Sequence, residues 1–193
     1  MYPYLGDWLI KAGTPELTSA HLHLCIDILN KLGLRINYEK STLIPVQRKH
    51  YLWAFLDTQE EKVYPSEERL LSIQLKCRSL ARTHRPSASV ISSLLGSMAS
   101  CIFLVPHARL HMRSLQQCLE DQWNLFTDNW EKKLLLSQPA LKSLLWWTKR
   151  INLMRGISFH QDLPAQVLVT DGSLRGWGAH MEGLQIQGLW SDR

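Results

Sequence analysis

Met1-Tyr2-Pro3-Tyr4-Leu5-Gly6-Asp7-Trp8-Leu9-Ile10 sets two short apolar runs on either side of a Gly-Asp pair. β-prone runs separated by two residues beginning with Gly predict a tight hairpin, because Gly supplies the positive φ that a type II′ turn requires at its first central position. That pattern puts Asp7 at the hairpin tip. A carboxylate there suits a metal site, and it suits a plain turn as well, since the short Asp side chain hydrogen-bonds its own backbone.

Downstream of the hairpin, Thr14-Pro15-Glu16 is a helix start: Thr14 caps, Pro15 fits the first helical position, and Glu16 favours the positive end of the dipole. Leu17, Leu24, Cys25, Ile28, Leu29 and Leu32 recur at helical spacing and Gly33 closes the run, which predicts a core-facing helix of about five turns. Leu34-Arg35-Ile36-Asn37 alternates as a short strand does. Residues 43–57 read as a second hairpin, with Tyr51-Leu52-Trp53-Ala54-Phe55-Leu56-Asp57 as a strand rich in aromatics, and Val63-Tyr64-Pro65 reads as a further short strand.

From Ser66 the pattern turns helical. Ser66-Glu67-Glu68-Arg69 is a cap followed by acids in the first turn, and Leu70, Ile73, Leu75, Cys77 and Leu80 carry the helix to Thr83, before the break at His84-Arg85-Pro86. A second helix carries Val90, Ile91, Leu94, Leu95, Met98 and Ala99 up to Pro106. A third runs over residues 108–123 with Leu110, Leu115, Cys118 and Leu119 on its apolar side, and residues 128–155 hold another helical patch. Trp146-Trp147 in that patch has two readings, stacking on bases and packing into a core. Gly156 and Pro164 punctuate a linker over residues 154–164. Beyond it, Gln166-Val167-Leu168-Val169-Thr170-Asp171 predicts a strand ending in a carboxylate, with further strands at Gly176-Trp177-Gly178-Ala179-His180 and over residues 184–190.

Length and composition are those of a globular chain: 193 residues and 45% hydrophobic content, enough for one ordinary domain or two small ones. The N-terminus has no basic region followed by a long apolar run, and the apolar stretch of residues 94–105 is shorter than the roughly 20 residues that a spanning helix needs. The expectation is no membrane partner and an intracellular location, cytoplasmic or nuclear. Cys25, Cys77, Cys101 and Cys118 are scattered without a metal-binding spacing and read as reduced thiols. His21 and His23 fall on different helix faces, and His107 and His111 form an i, i+4 pair without a Glu in the metalloprotease position. Net charge is +5, and between Glu68 and Glu120 no acidic residue occurs while Arg69, Lys76, Arg78, Arg82, Arg85, Arg109 and Arg113 are basic. A one-signed stretch of this length points either to a surface facing polyanions or to a solvated face whose acidic partners lie elsewhere in the fold.

Tyr4-Leu5-Gly6-Asp7-Trp8-Leu9-Ile10 resembles the Tyr-x-Asp-Asp hairpin of reverse transcriptases, in the Tyr-Leu-Asp-Asp-Trp-Leu-Ile form of DIRS-like and gypsy-like retrotransposon polymerases. The resemblance continues through Leu32-Gly33-Leu34-Arg35-Ile36-Asn37-Tyr38-Glu39-Lys40-Ser41, similar to the segment after that hairpin. Tyr51-Leu52-Trp53-Ala54-Phe55-Leu56-Asp57 looks like the primer grip, and Leu94-Leu95-Gly96-Ser97-Met98-Ala99 with Val105-Pro106-His107-Ala108-Arg109-Leu110 looks like thumb helices. Thr170-Asp171-Gly172-Ser173, followed by Gly176-Trp177-Gly178-Ala179, resembles the opening of RNase H.

The resemblance implies an α+β fold in three parts: residues 1–65 as the later part of a palm built of β-hairpins plus a helix, 66–155 as helical thumb and connection, and 156–193 as linker and first strands of an incomplete RNase H-like β unit. It implies Asp7 and Asp171 as remnants of two catalytic Mg²⁺ sites, Lys40 near nucleotide phosphates, and Lys76, Arg78, Arg82, Arg85, Arg109 and Arg113 as contacts to a nucleic-acid duplex. Two positions depart from the family: Gly6 replaces the first aspartate of the pair, and Trp53 stands where Gly is usual. The expectation is a fragment of a retrotransposon RNA-directed DNA polymerase, truncated at both ends, whose polymerase and RNase H centres are incomplete and catalytically inactive. The alternatives are a retained nucleic-acid-binding module working through its basic helices, or a structural relic that self-associates through an exposed palm face.

Overall fold

The opening hairpin forms one residue out of the expected frame. In the computed structural model, which describes residues 1–83, 85–160 and 166–191, β1 (Tyr2–Tyr4) pairs antiparallel with β2 (Asp7–Leu9), matching Tyr2 to Leu9 and Tyr4 to Asp7. The turn is therefore Leu5-Gly6, and Asp7 opens the returning strand instead of occupying the tip. The left-handed conformation falls on Leu5, at φ 50°, and not on Gly6.

α1 (Pro15–Lys31) begins as its sequence directs: the Thr14 hydroxyl accepts from the Leu17 amide at 3.2 Å, and Pro15 takes the first position. At its end Gly33 is left-handed at φ 72° and the Leu34 amide donates back to the Leu29 carbonyl at 3.0 Å, closing the last turn. The expectation that α1 faces a core is corrected: none of its residues is buried, and Leu24 and Ile28 keep 58% and 47% of their surface. Nor do residues 34–37 form a strand. The Asn37 side chain accepts from the Lys40 amide at 3.1 Å and the Ser41 hydroxyl donates to the Asn37 carbonyl at 2.7 Å, so local turn bonds take the place of a ladder.

β3 (Arg48–Tyr51), β4 (Ala54–Asp57), β5 (Lys62–Pro65) and β6 (Ile157–Ser158) make an antiparallel sheet in that order. The single strand expected over residues 51–57 is in fact broken at Leu52-Trp53, where Leu52 turns the chain at φ 53°. Asp57 anchors the sheet's end: its carboxylate is 2.8 Å from Arg48 Nε and accepts from the Gln59 and Glu60 amides, both at 3.0 Å.

The core lies in the helices α2 (Glu67–Arg82), α3 (Ala88–Ala99), α4 (Leu110–Gln122) and α5 (Gln138–Thr148), each packed against two neighbours in a ring, α2 to α3 to α4 to α5 and back to α2. Leu70, Ile73, Cys77 and Leu80 of α2 meet Ile91, Leu94 and Met98 of α3, Met112 and Leu115 of α4, and Leu144 and Trp147 of α5 in one buried cluster. Leu75, Val90 and Leu110, expected on apolar faces, are exposed instead, because each sits outside the arc that its neighbours cover. α6 (Arg150–Leu153) leads into β6.

Two compact units divide the chain at residues 159 and 160. In the second, β7 (Val169–Gly172), β8 (Gly176–Met181) and β9 (Leu184–Leu189) form an antiparallel meander, with Asp171 opposite Gly178. A side chain at Gly176 would bring a Cβ to 2.6 Å from the Gly188 carbonyl oxygen, so the close approach of these strands requires glycine there. The punctuation expected at Pro164 lies outside the described residues, as does His84 of the break expected at His84-Arg85-Pro86; α2 ends at Arg82 and α3 begins at Ala88. Among the described residues no helix is long and apolar enough to cross a membrane. The fold is mixed α+β, with three small antiparallel sheets and six helices among the described residues.

Candidate functional site

Asp7 sits at the start of β2 with its residue exposed, and the neighbouring hairpin braces its backbone. The Tyr51 hydroxyl, at the end of β3, lies 2.9 Å from the Tyr2 carbonyl and 3.5 Å from that of Asp7, tying the second hairpin to both strands of the first. Beside Asp7, Gly6 contributes no carboxylate. A lone carboxylate falls short of the several oxygen ligands that Mg²⁺ takes. Asp171 is likewise a single exposed carboxylate within β7, where its Oδ1 accepts from the Gly172 amide at 2.8 Å. Among the described residues, no group of three His, Cys, Asp or Glu is placed to share an ion.

Lys40 ends a turn, exposed, with its amide donating to Asn37. Lys76, Arg78, Arg82, Arg85, Arg109 and Arg113 are all exposed, but they are dispersed: Lys76, Arg78 and Arg82 lie on α2, Arg85 between α2 and α3, Arg109 just before α4, and Arg113 on α4. On α2, Lys76 and Arg69 border α3: Lys76 Nζ donates to Ser97 at 2.8 Å and Arg69 donates to Ser100. Arg69 also lies 4.8 Å above the ring of Trp53. Arg78 and Arg82 lie toward the other side of α2. On α4, Arg113 pairs with Glu120 at 3.5 Å, so one of the expected duplex contacts is already partly neutralised. Arg78, Arg82 and Arg109 form no ion pair with a described carboxylate.

The tryptophan pair divides by role. Trp147 is fully buried and its indole donates to the His111 carbonyl at 3.2 Å, while half-buried Trp146 stacks on the His111 ring at 3.9 Å with 15° between planes. Both positions are packing positions. Burial, and secondarily the nearby His107, hold His111 below the usual imidazole range, favouring the neutral ring in this stack. Cys77 and Cys101 are buried free thiols, and burial pushes Cys77 up to about 12. Such thiols are inert at neutral pH.

Sequence reasoning named Arg69 but not its setting. Nothing in linear spacing links Trp53 to Arg69, or Ser97 and Ser100 to α2, because those contacts arise only when the helices pack. No family model matches the chain, and no curated protein matches it.

Proposed function

We propose that the chain corresponds to the later palm, thumb, connection and opening RNase H strands of a DIRS-like or gypsy-like retrotransposon reverse transcriptase, and that it does not polymerise. The supporting observation is the order of elements: a hairpin carrying Gly6-Asp7, a capped helix, a second hairpin braced against the first through Tyr51, then a helical cluster, matching the order of the strings that resemble that family. The break in the paired carboxylates at Gly6 argues against metal-dependent nucleotidyl transfer.

What such a chain retains is a surface for phosphates. Arg78, Arg82 and Arg109, exposed and without carboxylate partners among the described residues, suit backbone contacts that give affinity without sequence choice. The test is binding to a labelled RNA–DNA hybrid across a salt series, beside a chain in which Arg78, Arg82, Arg109 and Arg113 are replaced by Ala. Each arginine that neutralises a phosphate contributes about 0.9 to the slope of log affinity against log salt. Arg113, shared with Glu120, contributes least. A folded, monodisperse chain that leaves the hybrid unbound would sink the binding function.

The bare apolar side of α1, together with Tyr2 at 56% and Tyr4 at 53% exposure in β1, favours a second reading, a protein-interaction role for the palm face. Association through that face would persist in high salt.

A further inference from the structure

Two exposed surfaces of the helical cluster complement one another. On α2 the positions 71, 75, 78 and 82 recur at i, i+4, i+7 and i+11 and so form one stripe, opposite the buried face of Leu70, Ile73, Cys77 and Leu80. Its first half is apolar, Leu71 and Leu75 at 52% and 63% exposure, and its second half is Arg78 and Arg82.

The second surface lies between α4 and α5. The loop after α4 is fastened by its own hydrogen bonds: the Asn124 amide donates to the Asp128 carboxylate at 2.9 Å, the Phe126 amide to the Asn124 side chain at 2.9 Å, and the Trp123 indole to the Asn129 carbonyl at 3.1 Å. Trp123 and Trp130 close its base with ring centroids 4.1 Å apart. So held, the loop turns Leu125 and Phe126 outward at 62% and 92% exposure, and Glu120 and Asp121 line the same open crease. Presenting a phenyl ring to water on a fixed loop forgoes burial while already bearing the ordering cost that a docking segment would meet.

We infer that the loop of one copy docks on the α2 stripe of another, Leu125 and Phe126 covering Leu71 and Leu75 while Asp121, on α4 just before the loop, meets Arg78 and Arg82. The contact is heterologous: each copy carries one knob and one stripe, so growth continues past a dimer unless a ring closes. Charge complementarity selects the second copy as the occupant: the apolar half of the stripe runs into Arg78 and Arg82, and Asp121, in the last turn of α4 before the loop, is a carboxylate in no ion pair among the described residues, whereas Glu120 is shared with Arg113 at 3.5 Å and Asp128 is engaged by Lys132 at 2.8 Å. A contact that rests on two apolar side chains from each copy belongs among weak ones.

Analytical ultracentrifugation of the full chain without nucleic acid, up to a concentration on the order of 100 μM, tests this. The wild type is expected to show a mean mass that rises with concentration beyond twice the monomer, and to revert toward monomer as salt rises from about 0.05 M to about 0.5 M. A knob variant, Leu125→Asp with Phe126→Asp, and a stripe variant, Leu71→Asp with Leu75→Asp, each change exposed positions only, and circular dichroism checks that both remain folded. Each alone stays monomeric. Mixed, they form a one-to-one dimer that does not grow, because one intact knob meets one intact stripe. A monomeric wild type, a mixture that stays monomeric, or folded variants that associate as the wild type does would each overturn the inference. The same arginines serve the duplex reading, and omitting nucleic acid keeps the failure of one distinguishable from the failure of the other.

Discussion

Replacing Gly156 by Ala tests how tightly β6 is seated. Gly156 immediately precedes β6 at φ 68°, and a Cβ there would stand 2.5, 2.9 and 3.0 Å from Cε1, Cδ1 and Cζ of Tyr64 on β5. The left-handed backbone alone costs an alanine about 1–2 kcal/mol. The ring cannot easily move aside: Tyr64 is only 8% exposed and its hydroxyl donates to Glu60 Oε2 at 2.6 Å. Forcing a methyl group into it costs about 1–3 kcal/mol more, so the full loss comes to about 2–5 kcal/mol. Urea denaturation of Gly156→Ala, Tyr64→Ala and the double variant separates the two contributions. With the ring gone, Gly156→Ala should cost only the backbone part, about 1–2 kcal/mol, leaving a coupling of about 1–3 kcal/mol between the sites. Equal costs in the two backgrounds, or a loss below about 1 kcal/mol in the native one, would refute the packing at β6.

Other substitutions probe the sites. Trp147→Ala should cost about 3–5 kcal/mol by thermal or urea unfolding, as expected for a fully buried indole, while Trp146→Ala loses markedly less; equal losses would contradict the division between core and stack. The hydrogen bond to Glu60, with burial and the Glu60 charge adding to it, raises Tyr64 to about 12. The folded state thus holds this proton when the unfolded chain has released it, so stability declines between about pH 10 and about pH 12, a decline that Tyr64→Phe should lessen in alkaline denaturation. Asp57 behaves oppositely: the Glu60 amide first, then the Gln59 amide and Arg48, against an opposing effect of burial, hold its carboxyl below the ordinary 3.8. Its contribution is present above about pH 4 and lost as pH falls further, so Asp57→Asn should flatten the acid limb of the stability profile. At Gly6 an added Cβ meets nothing within 4 Å, so Gly6→Asp should fold within about 0.5 kcal/mol of the parent. Paramagnetic Mn²⁺ should then broaden the resonances of β1 and β2 more than in the parent; unchanged broadening would count against a metal ancestry for this hairpin.

α1 and α2 show where sequence reading stops. Both begin with a hydroxyl cap, and both carry apolar residues at helical spacing. Yet α2 buries Leu70, Ile73, Cys77 and Leu80 against α3 and α5, whereas α1 buries nothing. Caps and periodicity are local properties of a chain, and burial belongs to a pair of surfaces, so the first was legible and the second was not. The same holds for strands. Alternation at residues 34–37 named a face with no partner strand to pair it, and the break at Leu52 depended on a left-handed backbone that an ordinary leucine does not announce.

The candidate site obeys the same rule. Asp7 and Asp171 were legible as residues because they sit in short strings, though the frame of the first hairpin was not. The basic stretch was legible only as a linear density of charge. A helix turns about 100° per residue, so Lys76 and Arg78 point about 160° apart around α2, and a run of one sign in sequence becomes two separate flanks in space. Lys76 faces α3 and donates to Ser97; Arg78 shares its face with Arg82. The proposed duplex binding, where it runs through α2, would therefore rest on Arg78 and Arg82. Lys76→Ala should leave the salt dependence of hybrid binding nearly unchanged while Arg78→Ala lowers its slope by about 1, and equal effects of the two would mean that the bound duplex reaches both flanks of the helix.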